Sequence, residues 1–193
     1  MLESFTEYTG RLVSAVESID LTAVEALERE LADRIDNRKR IFICGNGGSA
    51  GNAIHIENDF LYGVRKKSGA GADITALPAN SSVLTCLAND LDYSAIYSEQ
   101  LMVKAQAGDL LIVLSGSGNS PNILQALRTA IQMGIRTAAL LGYSGGEARN
   151  LADIVIHAEI DDMQISEDVQ LIVMHHLMQR LYAAGGAETG VAK

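Results

Sequence analysis

Short apolar runs alternate with helical stretches along most of this chain. The apolar runs span 40–45, 73–79, 109–115, 136–142 and 154–160, and helical periodicity fills 49–62, 81–90, 94–106, 119–133, 145–152 and 165–183. Unbroken apolar runs are typical of parallel strands that are buried on both faces. The alternation therefore predicts an α/β fold with a doubly wound parallel sheet, in which ligands bind beyond the carboxyl ends of the strands.

Two amphipathic helices are predicted before the first strand. Their apolar positions recur at helical spacing, and they are Leu2, Phe5, Leu12, Val16 and Ile19, followed by Val24, Leu27, Leu31 and Ile35. Thr22 and Glu25 have the spacing of a capping box near the second start. These helices could cover the sheet or pack against a second subunit. The second use is favoured, because the remaining pattern already supplies helices for both faces, and we expect residues 1–36 to form an oligomerisation hairpin.

The composition narrows the class of protein. A chain of 193 residues that is 48% hydrophobic can form one domain with a real core, and we treat residues 1–193 as a single domain whose tail, 185–193, is disordered. The net charge of −9 argues against a nucleic-acid partner. Cys44 and Cys86 lie among apolar residues, which favours buried free thiols in a reducing compartment. No targeting segment or apolar run of about 18 residues is seen, so we expect a cytoplasmic protein without a membrane partner.

A Ser/Gly loop separates the third apolar run from the next helix. Residues 115–120 read SGSGNS, and Pro121 opens the helix with Ser120 as its expected N-cap. A strand followed by a small polar turn and a helix N-terminus presents backbone N–H groups, hydroxyl groups and the positive end of a helix dipole at one place. Such a place is an anion site suited to phosphate. A polar turn that binds nothing is the alternative, although three serines within six residues exceed what a turn needs.

A second glycine-rich loop follows the first strand. Residues 45–49 read GNGGS, with Ser49 at the expected N-cap of the next helix. The stretch lacks a complete G-x-G-x-x-G spacing and the lysine of a P-loop, so a dinucleotide or nucleoside triphosphate is a poor ligand for it. Two small polar loops without lysine suit a monophosphate and the hydroxyl groups of a sugar.

The motifs GNGGS (45–49), LSGSGNS (114–120) and TAALLGYSGG (137–146) together resemble the sugar isomerase (SIS) domain, and in particular its phosphoheptose isomerase branch, over residues 1–183. The resemblance implies a three-layer αβα fold with a five-stranded parallel, flavodoxin-like sheet and two extra N-terminal helices. It also implies substrate-binding residues in both loops and beyond them, namely Asn46, Gly47, Ser49, Asp90, Ser115, Gly116, Ser117 and Ser120. Gly116 stands where the family commonly has threonine, so one hydroxyl contact is missing.

His55 and Asp59 are candidates for a metal half-site. They lie four residues apart on the helix after the first loop and therefore share a face. From the spacing alone an ordinary ion pair is favoured over a metal site.

The last helix offers a further set of candidates, Glu167, Asp168, His175 and His176. Glu167 and His175 differ by about 80° in direction, whereas Asp168 aligns better with His175. His176 is predicted to be a packed core histidine, and His157, in a strand, is given no role.

The resemblance assigns chemistry to these positions. His175 matches the family's catalytic histidine, Glu167 matches a metal-ligating glutamine, and Asp59 matches the general-base glutamate. The resemblance thus implies one Zn²⁺ per subunit, held by His55, Asp59, Glu167 and His175. It implies that Asp59 is the base and His175 the acid. The reaction implied is the isomerisation of sedoheptulose 7-phosphate to D-glycero-D-manno-heptose 7-phosphate through an enediol.

The resemblance also implies a homotetramer with shared sites, in which Arg65 of a neighbouring subunit reaches the phosphate. A different function stays open, that of a non-catalytic SIS protein which binds a phosphosugar or a protein partner, as in the replication-initiator-associating group. The aspartate at position 59 and the glycine at position 116 favour this alternative, whereas the retained His55 and His175 favour the enzyme.

Overall fold

The computed structural model describes residues 3–69 and 71–184, so the predicted disordered tail, 185–193, lies outside the described residues. The strands are β1 (Arg40–Gly45), β2 (Asp73–Ala76), β3 (Leu110–Ser115), β4 (Arg136–Leu141) and β5 (Ile154–His157). The helices are α1 (Phe5–Glu17), α2 (Leu21–Asp36), α3 (Gly47–Asn58), α4 (Arg65–Ser68), α5 (Ser81–Asp90), α6 (Ser98–Lys104), α7 (Pro121–Gln132), α8 (Ala148–Leu151) and α9 (Met163–Ala184). A π-helical segment, Asp59–Gly63, continues α3, and 3₁₀ turns cover Leu77–Ala79 and Tyr93–Ala95.

The described strands form one parallel sheet in the order β2-β1-β3-β4-β5. This arrangement confirms the predicted five-stranded, flavodoxin-like architecture. The strand order reverses between β1 and β3, and such a switch point is where α/β sheets bind their ligands. Gly45 pairs in register with Leu114, so the loops that follow β1 and β3 leave the sheet side by side.

Apolar side chains fill a core on each face of the sheet. Successive residues of a strand point to opposite faces, so Ile41 packs with α2, α3 and α9, whereas Phe42 packs with α6 and α7. Burial on both faces explains why the strands read as unbroken apolar runs.

The N-terminal helices use their apolar residues differently. Leu27 and Leu31 of α2 are completely buried in the same core as the sheet, so α2 covers the sheet of its own chain. In α1 only Ala15 is buried, and Phe5 and Val13 are 82% and 53% exposed. Covering the sheet was the less favoured of the two expected uses, and a role for the hairpin in oligomerisation stays a prediction.

Several local expectations need correction. The carboxylate of Asp20 caps α2 by accepting from the Thr22 backbone N–H over 2.9 Å, in place of the Thr22 capping box. Strand β2 ends at Ala76 because a 3₁₀ turn containing Pro78 follows at once.

Two side chains predicted to be packed are exposed, Cys86 and His176. Cys44 is buried as expected, and burial raises the pKa of its thiol. Among the described helices none is long and apolar enough to span a bilayer.

Candidate active site

Two neighbouring loops meet at the switch point of the sheet. The first loop comprises residues 45–49 after β1, and the second comprises residues 115–120 after β3. Asn46 of the first loop and Asn122 in the first turn of α7 exchange two side-chain hydrogen bonds, of 2.9 and 2.7 Å. The first loop is therefore bonded to the first turn of the helix that follows the second loop.

Both helices that begin at these loops leave their N-termini without a side-chain cap. Asn46 and Ser120 occupy the N-cap positions of α3 and α7, yet neither side chain accepts a bond from its own helix. Elsewhere Ser4, Asp20 and Asn80 do cap their helices. Uncapped N–H groups at a helix start bind anions well, and α3 leaves those of its first turn available. At α7 Pro121 has no N–H, and the Ile123 N–H bonds to the Ser120 carbonyl and to Oδ1 of Asn122. The start of α3 and the hydroxyls of the second loop can therefore hold a phosphate without lysine or arginine.

Ser49 is not the N-cap that its position in the motif suggested. It lies within the first turn of α3, is buried, and accepts a hydrogen bond of 3.1 Å from Nε2 of Gln170. Asn52 donates to the same Gln170 side chain over 3.0 Å and to the Glu167 carbonyl over 3.0 Å. This polar network fixes the start of α3 against α9.

The second loop is stiffened by its own hydroxyls. Oγ of Ser115 accepts from the Gly118 N–H over 3.0 Å, and Oγ of Ser117 accepts from the Asn119 N–H over 3.3 Å. Gly118 has φ +65° and lies so close to Gly145 that a side chain would overlap its carbonyl. The loop is thus preorganised, with no room for adjustment at Gly118.

A third loop, residues 142–147, supports the second. Gly142 donates its N–H to the Gly116 carbonyl over 3.0 Å, and Oδ1 of Asn119 accepts from the Glu147 N–H over 2.9 Å. Tyr143 adopts φ +44°, a region that non-glycine residues seldom enter. Its carbonyl is 2.9 Å from Nε2 of His157, so the strained backbone is held in place.

The N-terminal half of α9 lies across all three loops. A Cβ atom at Gly48 would overlap the carboxylate of Glu167, and one at Gly142 would overlap the hydroxyl of Ser166. At Gly116 a Cβ would lie 2.6 Å from Sδ of Met163. Met163 therefore occupies the space of the side chain that Gly116 lacks, which gives a packing reason for the departure from threonine.

His55, Asp59 and His175 form one compact group. Nε2 of His55 is 2.9 Å from Nε2 of His175, and Oδ2 of Asp59 is 3.4 Å from the first nitrogen and 3.3 Å from the second. The rings meet edge to face, with an interplanar angle of 84°. The side chains of His55 and His175 are 49% and 39% exposed, and that of Asp59 is 21% exposed, so the group opens to the surface.

The helix packing explains why this group forms. Gly48 contacts Glu167, Asn52 contacts Gln170 and His55 contacts His175, so α3 and α9 lie side by side and run in the same direction. Asp59 then begins the π-helical segment, in which the Val64 N–H bonds to the Asp59 carbonyl over 3.3 Å. Segments of this kind are frequent at functional sites, because they change the direction in which a side chain points.

The three side chains fit a divalent metal ion. Their three facing donor atoms lie 2.9–3.4 Å from one another. Ligand atoms about 2.1 Å from a tetrahedral zinc ion are separated by about 3.4 Å, close to the observed spacing. Three protein ligands leave a fourth position open, as in catalytic rather than structural zinc sites.

The structure does not bring Glu167 or Asp168 to this group. Eight helical residues place Glu167 about 12 Å from His175 along α9, and its carboxylate lies against Gly48. Asp168 faces α1, where it accepts a 2.6 Å hydrogen bond from Tyr8 that raises the pKa of Tyr8 to about 12. Within the described residues the group thus offers three candidate ligands, and Glu167, the expected fourth, is not among them.

Two further predicted substrate residues are exposed and away from the contacts described above. Asp90, at the end of α5, accepts hydrogen bonds from Cys86 and Asn89, and it raises the pKa of the Cys86 thiol. Arg65 begins α4 and is exposed. Their roles at a substrate stay predictions.

Some residues of this region were missed from the sequence. Asn122 and Gln170 are buried polar side chains within otherwise apolar helix faces. Each is a polar residue at a position of the helical period that is otherwise apolar, and this pattern could have identified them from the sequence. A buried amide at such a position needs hydrogen-bond partners and therefore indicates a polar network.

The chain is similar to known proteins over most of its length. The family model described as SIS domain matches residues 4–142. The phosphoheptose isomerase of Chlorobaculum parvum is 38% identical over 150 residues, which cover 77% of this chain and 72% of the relative. That of Synechocystis is 34% identical over 174 residues, which cover 89% of each chain.

Solved structures share the fold. The phosphoheptose isomerase GmhA from Neisseria gonorrhoeae superposes with a TM-score of 0.84 at 23% identity, covering 92% of this chain and 96% of that one. The sugar isomerase domain of an RpiR transcription factor from Sphaerobacter thermophilus reaches 0.63 at 19% identity, covering 93% and 88%. These likenesses confirm the architecture. The family model and the curated relatives show that the chain belongs to the SIS domain family and, within it, to the phosphoheptose isomerases.

Proposed function

We propose that this protein is an aldose–ketose isomerase that interconverts sedoheptulose 7-phosphate and D-glycero-D-manno-heptose 7-phosphate through an enediol. The observation that carries the proposal is the group His55, Asp59 and His175, which lies where α3, the helix that begins at the first phosphate-type loop, packs against α9. His55 lies seven residues beyond Gly48, about 10 Å along α3. A long sugar phosphate is therefore needed to connect the loops with the group.

The phosphate binds at the uncapped start of α3 and on the second loop. Ser115, Ser117 and Ser120 lie on the second loop and supply hydroxyls, and Asn46 supplies an amide from the first loop. These contacts hold the far end of the substrate, where no bond changes. They contribute to catalysis by placing the carbonyl end at the reacting groups.

Asp59 is suited to move the proton between carbons 1 and 2. Its Oδ2 faces the two histidines, whereas its other oxygen, Oδ1, accepts a 3.2 Å hydrogen bond from the neighbouring Asn58 amide. We assign Oδ1 as the proton-carrying atom. His175 is the candidate acid that exchanges a proton with the carbonyl and hydroxyl oxygens.

His55, Asp59 and His175 would hold a Zn²⁺ ion, one per subunit. Two imidazole nitrogens and a carboxylate oxygen are a donor set that zinc prefers. When bound, the ion would polarise the carbonyl group and stabilise the negative charge of the enediolate. Glu167 is a further candidate ligand only if its side chain leaves Gly48.

We further propose that the protein works as a homotetramer in the cytoplasm. The exposed Phe5 and Val13 on α1, and Ile54 and Ile172 beside the histidines, support an assembly that covers these residues. Arg65 of a neighbouring subunit would then reach the phosphate. Light scattering tests this, since a monomer at micromolar concentration would contradict it.

A second candidate function is a non-catalytic SIS protein that binds a phosphosugar or a protein partner. The position of Glu167 against Gly48, away from the three ligands, favours it. Metal content separates the two functions, because a binding protein has no need of the ion.

The deciding experiment measures metal content and turnover on the same preparation. Purified protein is assayed for zinc by plasma mass spectrometry and for conversion of sedoheptulose 7-phosphate by ³¹P NMR. We expect about one zinc per chain and turnover, both lost in Asp59→Asn and both kept in Asp36→Asn, which changes an exposed carboxylate at the end of α2. Binding of the substrate without turnover in the zinc-loaded protein would overturn the enzyme proposal.

A further inference from the structure

Asn46 and Asn122 form a reciprocal amide pair beneath the crevice between the first two loops. Each Nδ2 donates to the Oδ1 of the other, over 2.9 and 2.7 Å. Turning one amide alone would set nitrogen against nitrogen and oxygen against oxygen. Turning both is opposed by the Ile123 N–H, which donates to Oδ1 of Asn122 over 3.1 Å, so both orientations are fixed. Asn122 is fully buried, so the loss of Asn46 as partner would leave a buried amide N–H without its acceptor.

Tyr93 fills the remaining acceptor position of Asn46. Its hydroxyl donates to the same Oδ1 over 3.1 Å, from the 3₁₀ turn that precedes α6. A carboxamide oxygen accepts two hydrogen bonds, and Asn122 and Tyr93 now provide both. The side chain of Asn46 has therefore only one group left for a ligand, the second hydrogen of Nδ2, which is a donor.

The same network explains the uncapped start of α3. An asparagine at an N-cap usually turns its oxygen back to the helix N–H groups. Here that oxygen is bound by Asn122 and Tyr93, so the helix N–H groups stay available, and the amide N–H is offered on the same edge of the sheet. Both kinds of donor suit an oxygen that carries negative charge.

We propose that Asn122 and Tyr93 are positioning residues that hold Asn46 as a one-directional hydrogen-bond donor toward an acceptor oxygen of the bound sugar phosphate. The inference rests on the proposed function, since it concerns the same crevice. Asn122 and Tyr93 act through Asn46 and do not need to touch the substrate. The pair also couples the first loop to the second, so a ligand held by one loop meets the other in a fixed position.

The test compares binding in a double-mutant cycle. Calorimetry with sedoheptulose 7-phosphate, and separately with inorganic phosphate, is run on the wild type, Asn46→Ala, Asn122→Ala and the double variant. Asn122→Ala should raise Kd about tenfold, because a lost hydrogen bond in a buried pair is typically worth that factor. In the Asn46→Ala background the same change should have almost no further effect on Kd.

Tyr93→Phe keeps the test valid if Asn122→Ala folds poorly. Tyr93 is 55% exposed, so the loss of its hydroxyl leaves the core intact, and Kd should rise about threefold. Thr137→Val is the matched control, because Thr137 is also fully buried and bonds to Asp153 at the opposite edge of the sheet. It should lower the melting temperature and leave Kd unchanged.

A readout without ligand comes from NMR of protein labelled with ¹⁵N-asparagine. The side-chain NH₂ of Asn46 should exchange slowly with water in the wild type and quickly in Asn122→Ala. The inference would be overturned if Asn122→Ala and Tyr93→Phe changed neither Kd nor the rate of amide hydrogen exchange, or if the changes in binding free energy were fully additive in the cycle. The enzyme proposal would not be affected by these results as long as the wild type turns over the substrate. Loss of the proposed reaction with the Kd pattern intact would instead overturn only the enzyme proposal, and a wild type that binds neither ligand would overturn both.

Discussion

A side chain introduced at Gly116 would meet Met163. In Gly116→Ala the new Cβ would lie 2.6 Å from Sδ and 3.1 Å from Cε of Met163, and 3.6 Å from the Tyr143 ring. Relaxed carbon contacts are about 3.5–4.0 Å, so the overlap with the thioether is about 1 Å. Overpacking of this kind costs about 1–3 kcal/mol, and we expect the lower end, because the thioether is flexible and Met163 is 37% exposed.

The measurement is a double-mutant cycle of urea unfolding on Gly116→Ala, Met163→Ala and the double variant. Met163→Ala removes the obstruction, so the two changes together should destabilise by about 1 kcal/mol less than their sum. Gly116→Thr in the Met163→Ala background should in addition tighten the binding of inorganic phosphate, because it restores a hydroxyl to the second loop. Additive losses of stability would refute the view that Met163 and position 116 compete for one space.

Three further predictions concern α1, α9 and the third loop. The hydrogen bond to Asp168 raises the pKa of Tyr8 from 10.0 to about 12. This bond therefore stabilises the fold below pH 10, and its contribution is lost as the pH rises toward 12. Urea melts at pH 8 and pH 11 should show a smaller loss of stability with pH in Tyr8→Phe than in the wild type. Glu167→Ala should leave the zinc content per chain unchanged, since the carboxylate lies against Gly48; zinc loss would show that Glu167 reaches the ion. Tyr143→Asn should keep the melting temperature while weakening phosphate binding, because asparagine accepts the positive φ but lacks the ring; a large drop in melting temperature would contradict this.

The fold followed from the sequence because its pattern and its packing agree. Each strand is buried on both faces and reads as an apolar run, and each parallel connection requires a helix. The ends of helices and strands were harder to predict where one local preference overrode another. Pro78 ended β2 early, and α3 widened into the π-helical segment at Asp59 with no proline in that segment to signal it.

The site was predictable only where contacts are local in sequence. His55 and Asp59 are four residues apart on one helix, so their proximity follows from helix geometry. The choice of His175 as their partner came from the resemblance, because the register between α3 and α9 is a tertiary property. Glu167 lies on the same helix, α9, but contacts Gly48 instead of the histidines. The periodicity within α9 could not predict which of the two residues, Glu167 or His175, would reach His55 and Asp59.

The parallel packing of α3 and α9 fixes the distance between the two ends of the proposed substrate. At one end Glu167 and Gln170 of α9 lie against the first turn of α3, and at the other His175 meets His55. Glycines at the first, second and third loops let α9 approach closely, so the helix cannot slide without overlap with a backbone. The separation between the proposed phosphate site and Asp59, the proposed base, is thus set by helical rise rather than by loop conformation. Selection by substrate length is therefore a property of the two rigid helices, and changes confined to the loops should alter affinity rather than the length that is selected.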